Sequence, residues 1–365
     1  MVWYATVLHQ TVPNHRPDMR TDDLDFHLPP ELIAQEPPAV RHASRLLHYK
    51  RADRTIAHRT FADLPAILRP GDLLVFNDTR VLPARFVLRK VTGGQVEALF
   101  VRENAPGDWN VLLKNVGPWR PDVPLRVEGD DAVEVRLVER VEGGEFRVAL
   151  STTHPAAAVL ARVGRMPLPP YIKRGKGRDA RDDLDRERYQ TVFANEAGSV
   201  AAPTAALHFS PEVMAALDAR GVRRAYVTLD VGMGTFKPVT ADTLDAHAMH
   251  AERYSLSAET AAAVNAAKAE GRRVVAVGTT STRVLESQPP GDLQPRTGET
   301  RAFIYPPYDW KHVDALVTNF HLPRSTLIAL VAAMTGLEEQ RRIYAEAIAQ
   351  RYRFFSYGDG MFVDG

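Results

Sequence analysis

The chain has no cysteine. That removes disulfides, thiolate zinc sites, iron–sulfur clusters and a cysteine nucleophile together. It also lacks an excess of charge of one sign: 46 basic and 45 acidic residues leave a formal net charge of +1. Such a balance excludes a protein that coats nucleic acid nonspecifically, although a local basic face can still exist. No apolar run is long enough to span a bilayer and no signal-peptide pattern opens the chain, so the cytoplasm is the expected compartment and no membrane partner is expected. What remains is ordinary soluble composition, 45% apolar and 25% charged over 365 residues, enough for two domains with real cores. Arginine greatly outnumbers lysine, which makes planar forks available for phosphates or carboxylates.

Residues 1–22 are irregular and polar and read as a disordered extension or a misassigned start. Between about Ala84 and Leu150 short apolar-rich segments alternate with Gly93-Gly94, Pro106-Gly107, Gly129-Asp130 and Gly143-Gly144. That rhythm predicts a small antiparallel β-barrel over residues 84–151. Flanking it, residues 23–83 and 152–365 alternate strand and helix patterns, with Ser210 and Ser325 as helix caps. The fold class read from this is α/β: a larger α/β domain with a largely parallel sheet and the barrel inserted. Arg174–Arg188, dense in mixed charge, reads as a surface loop.

Several segments carry chemistry-bearing side chains. Gly198–Phe209 is a run of small residues ending in Thr204, His208 and Phe209; small side chains allow close backbone approach to a ligand or to another strand. Asn77, Asp78, Arg80 and Arg85 leave a strand end where the two domains meet, either as a capped turn or as a cleft wall. Met166–Lys173 holds three prolines and must be extended, offering Tyr171 as a ring platform for a base or a cation. His250 and Glu252 share a face if their segment is extended, a possible acid/base couple. Val274–Glu286 reads as strand, hydroxyl-rich loop, then helix, and Thr279, Thr280, Thr282 and Arg283 there suit an anion or simple capping. Asn319, Phe320 and His321 fall at another strand's C-terminal end, where open α/β sheets bind ligands.

FNDTRVLPAR, MPLPPYI, YQTVFA, GSVAAPTAALHF, GMGTFKPV, MHAE, AVGTTSTR, TNFHLPRSTL and YRFFSYGDGMF follow one another from about Leu24 to Phe362. Together they closely resemble the S-adenosylmethionine:tRNA ribosyltransferase-isomerases of queuosine biosynthesis. The resemblance implies an α/β domain with a small β-barrel. It implies transfer of the ribosyl carbons of S-adenosylmethionine to 7-aminomethyl-7-deazaguanine at the tRNA wobble position, with isomerisation to epoxyqueuosine and loss of adenine and methionine. S-adenosylmethionine is then a consumed substrate, the anticodon loop is the macromolecular partner, and no metal or other cofactor is expected. Placed on these motifs, His250 with Glu252, His208 and His321 become acid/base candidates. Tyr171, Phe209 and Phe320 become walls, with Thr204 beside them. Thr279, Thr280, Thr282 and Arg283 would hold a carboxylate or phosphate, and Asn77, Asp78, Arg80, Arg85 and Asn319 would address the substrate. One departure stands out: Asp230 occupies a position where the family commonly has histidine. A methyltransferase and a non-catalytic RNA-binding protein are the rival readings; the Gly-rich first loop of the former is not evident.

Overall fold

The computed structural model describes residues 19–117, 123–175, 179–232 and 238–365. Before the barrel lie β1 (Arg45–Lys50), β2 (Thr55–Thr60), β3 (Leu73–Asn77) and β4 (Thr79–Val81). The barrel comprises β5 (Arg85–Arg89), β6 (Gln95–Ala105), β7 (Asp108–Lys114), β8 (Leu125–Val127), β9 (Asp130–Arg140) and β10 (Glu145–Leu150). After it come β11 (Glu196–Ser199), β12 (Arg223–Leu229), β13 (Glu252–Leu256), β14 (Val274–Val277), β15 (Arg296–Thr300), β16 (Ala315–Asn319) and β17 (Gly360–Asp364).

A 9-stranded sheet of order β15-β13-β12-β3-β14-β16-β17-β1-β2 forms the body, while β10-β7-β6-β5-β8-β9 close into the barrel. The central strands β12, β3, β14 and β16 are mutually parallel. Both flanks are mixed: β13 and β17 run antiparallel to their inner neighbours. The sheet is therefore mixed rather than largely parallel. Helices cover both faces of its centre, which is why β14, Val-Val-Ala-Val, is apolar without alternation and wholly buried. Successive residues of β3 feed opposite cores, Leu73 and Val75 on one side and Leu74 and Phe76 on the other.

Barrel strands alternate buried and accessible positions, as in β5. The turns Gly107, Gly129 and Gly143 have positive φ, which explains the glycine breaks in the sequence. Where the chain enters and leaves the barrel, Arg85 and Arg165 form a backbone bridge, with N–H···O distances of 3.1 and 2.7 Å. Beside it Gly164 crosses Pro83 so closely that an added Cβ would lie 1.8 Å from the Pro83 carbonyl oxygen.

Three further expectations are corrected. The Gly278–Glu286 helix begins directly after β14, so Thr279, Thr280 and Thr282 are helical and no hydroxyl-rich loop precedes them; Gly278, at φ +88°, makes the sharp entry possible. Within the charged stretch read as a loop, Asp182–Arg188 is a helix. Asp185 is buried there and receives the Arg174 guanidinium at 2.6 and 2.8 Å. In the supposed extension, Thr21 is buried, its N–H bonded to the Asp242 carbonyl at 2.9 Å; residues 1–18 lie outside the described residues.

Candidate active site

The parallel strands β3, β12, β14 and β16 all end at one edge of the sheet, and the antiparallel β13 and β17 begin there. Asn77, Asp230, Gly278, Asn319, Glu252 and Asp359 are thus gathered by topology. This is the edge at which open α/β sheets bind ligands.

Some of the gathered side chains hold the edge together. Asn77 is fully buried; its amide donates to the Leu229 carbonyl at 3.1 Å and its Oδ1 accepts from the N–H groups of Thr79 and Leu229. It fastens β3 to β12. Ser199 Oγ accepts from Thr79 Oγ1 at 2.9 Å and from the Val231 N–H at 2.7 Å, tying the small-residue run to the same strands. Phe209 is buried against Phe61 and Phe76, and Phe320 against Tyr344, Tyr352 and Phe354. Arg80 is exposed and donates to the Ala194 carbonyl, while Arg85 pairs with Glu97.

Glu252 and His250 do not share an environment. Glu252 is buried, ion-paired with Arg283, and accepts the Gly232 N–H at 3.2 Å, whereas His250 is exposed. Arg283 also donates to the Ala302 carbonyl at 3.1 Å, and its Nη2 finds no partner among the described residues. Thr282 spends its hydroxyl on the Gly278 carbonyl, but the buried Thr280 Oγ1 has no partner among the described residues. Residues 233–237, next in line, lie outside the described residues.

His208 and His321 are buried, and burial pushes both down to about 3, so each ring is neutral near pH 7; nearby Arg353 and Arg41 add to the effect at His208. His208 lies flat on Phe61, ring centroids 4.1 Å apart, and its Nε2 accepts from the Asn319 amide at 3.0 Å. His321 Nε2 meets Thr318 Oγ1 at 2.8 Å. Two carboxyls at the edge are pushed the other way. Burial raises Asp78, which accepts from Thr228 Oγ1 at 2.8 Å, and burial also raises Asp230.

A small cleft, open to solvent, lies at this edge. Tyr171, Phe355, Phe320 and Leu322 supply its apolar surface, and Thr204, Asn319, His321, Ser325 and Ser356 its polar groups. The Tyr171 and Phe355 rings are 4.5 Å apart, and the Tyr171 hydroxyl meets Ser356 Oγ at 2.6 Å. Burial raises the Tyr171 phenol, which stays protonated. The structure thus brings together Tyr171, Thr204, Asn319, Phe320 and His321. Phe355 and Ser356 join them although neither was singled out as a site residue from the sequence; the YRFFSYGDGMF motif was the available signal.

The queuosine biosynthesis protein family matches residues 21–363. The chain is 51% identical to the S-adenosylmethionine:tRNA ribosyltransferase-isomerase of Anaeromyxobacter sp. (strain Fw109-5), over 94% of this chain and 98% of that relative. It is 48% identical to the protein of the same name from Geobacter metallireducens, over 94% of this chain and all of the relative (100%). The crystal structure of S-adenosylmethionine tRNA ribosyltransferase from Thermotoga maritima is similar at 34% identity, with a TM-score of 0.53 over 93% of this chain and 99% of that one. With its α/β body, its closed barrel and this full-length match, the chain belongs to the queuosine biosynthesis protein family.

Proposed function

We propose that this chain is an S-adenosylmethionine:tRNA ribosyltransferase-isomerase. The acceptor in this reading is the aminomethyl group of 7-aminomethyl-7-deazaguanine at the wobble position, and epoxyqueuosine, adenine and methionine are the products. The observation that carries the reading is the near full-length identity to relatives of that name. A tRNA substrate places the enzyme in the cytoplasm.

The chemistry makes definite demands. The sulfonium acidifies the neighbouring C5′ protons, so a base must take one; the attacking amine must be neutral; adenine leaves more easily when protonated. All three are proton transfers and bond exchanges that acid/base side chains can serve, and no metal or redox cofactor enters the proposal. Asp78 and Asp230, whose carboxyls are raised by burial, are proton acceptors of adjustable strength at the sheet edge. His250 is exposed beside the edge, open to solvent and to a substrate. The neutral His208 and His321 suit hydrogen bonding and orientation at neutral pH. The paired rings of Tyr171 and Phe355 offer a face to a cationic sulfur. Arg80 and its neighbours would meet the anticodon backbone through a few guanidinium contacts, which reconciles RNA binding with the near-zero net charge.

The test is incubation of the purified chain with S-adenosylmethionine and tRNA bearing the aminomethyl-deazaguanine, read by mass spectrometry. Epoxyqueuosine with equimolar adenine and methionine is expected. Release of S-adenosylhomocysteine would instead make the protein a methyltransferase, and tRNA binding with S-adenosylmethionine intact would make it a binding module.

A further inference from the structure

Asn319 is 2% exposed, and its amide nitrogen is fully committed. It donates to His208 Nε2 at 3.0 Å and to the Phe355 carbonyl at 3.1 Å, with the Asp359 carbonyl at 3.4 Å. Two carbonyl acceptors fix which end of the amide is nitrogen. The carbonyl Oδ1 is left, and it has no partner among the described residues. A buried acceptor without a donor is costly unless a ligand supplies one, and Asn319 lines the cleft.

A second observation comes from the cleft's other wall. The 10-residue helix Thr326–Thr335 starts there, capped by Ser325, whose Oγ accepts the Ile328 N–H. The N–H groups of Thr326 and Leu327 find no partner among the described residues. They are free donors at the positive end of a helix, a setting that favours a carboxylate. Between the acceptor and the donors lie the apolar sides of Phe320, Leu322 and Phe355.

An acceptor for an ammonium, donors for a carboxylate and an apolar wall form the complement of a free α-amino acid with an unbranched apolar side chain. We infer that this cleft holds the methionine end of S-adenosylmethionine, with the ammonium on Asn319 Oδ1 and the carboxylate on the Thr326 and Leu327 N–H groups. The sulfur then points toward the Tyr171–Phe355 ring pair. The assignment rests on the proposed reaction, and it moves the carboxylate away from the Thr279–Arg283 segment, where sequence reasoning had placed an anion.

The test is calorimetry on the full chain with L-methionine, with its desamino analogue (methylthio)butanoate and with its decarboxylated analogue methylthiopropylamine. Wild type should bind methionine at least roughly tenfold tighter than either analogue, as expected for charged groups held by hydrogen bonds. Asn319→Ala should lose about tenfold for methionine and leave the desamino analogue unchanged. Because Asn319 also joins β16 to the Phe355–Asp359 segment, a second variant is needed. Thr326→Pro removes one N–H at the first helical position, where proline is tolerated, and Ser325 already has the extended geometry (φ −100°, ψ 156°) that proline requires of its predecessor. It should weaken methionine and the desamino analogue alike and spare the amine. Methionine affinity unchanged in both variants overturns the assignment, as does adenine rather than methionine occupying the cleft. If wild type still releases adenine and methionine from its substrates, the proposed reaction survives that loss; if it releases neither, the reaction itself is wrong.

Discussion

The Asp230 carboxylate lies over the backbone of Gly198: a Cβ on Gly198 would come within 2.5 Å of Asp230 Oδ1. The first residue of the small-residue run is therefore glycine because of what stands across from it. Gly198→Ala should cost about 1–3 kcal/mol by overpacking, measured by urea denaturation, and the cost should shrink in the double variant with Asp230→Ala. Equal cost in both backgrounds would show that the carboxylate is not the obstacle.

Acid should expose the two buried histidines. Both have folded values near 3, below the unfolded value of about 6.5. The folded state therefore binds fewer protons, and stability falls as pH drops from about 6.5 toward 3, by roughly 1.4 kcal/mol per pH unit for each group. His321→Gln should flatten the profile by one such slope in urea melts at pH 7 and pH 5. A parallel, merely shifted profile would refute this account.

Asp78 predicts the opposite sign. Its carboxyl is raised, so the cost of burying the charge is present above the folded value and is relieved as pH falls through it. Asp78→Asn, which keeps an acceptor for Thr228, should raise the Tm at pH 7 and lose that advantage in acid. The same variant should slow turnover if Asp78 moves a proton.

Glu252 and Arg283 form a buried pair with side chains 5% and 6% exposed. Removing either partner alone should destabilise by about 3–5 kcal/mol, since an uncompensated charge is left inside. Glu252→Gln with Arg283→Met should recover much of that loss. Additive losses in thermal or urea melts would mean that the two do not act as a pair.

The helix caps, the barrel strands and the central parallel strands were legible because each is local: Ser325 before an apolar helix, or glycine between alternating strands, needs no distant partner. What stayed hidden depended on long-range pairing. The charged Asp182–Arg188 helix exists because Asp185 finds Arg174 and the Tyr357 hydroxyl. β15 (Arg-Thr-Gly-Glu-Thr) has no apolar signature and is a strand because β13 offers its edge. In the site, residue types announced Tyr171, Asn319 and His321. The sequence did not reveal that His208 turns inward to hold Asn319, or that Glu252 turns away from His250 to meet Arg283, since side-chain direction there is set by neighbours more than 30 residues away.

The Arg85–Arg165 bridge and the Gly164–Pro83 crossing bring the two ends of the barrel segment to one point on the body. The barrel is therefore a detachable module in evolutionary terms. Its loops can lengthen, shorten or change charge while the path of the body's chain stays the same, so the barrel can diversify independently of the cleft. The constraint falls on position 164, where any side chain would force that joint open.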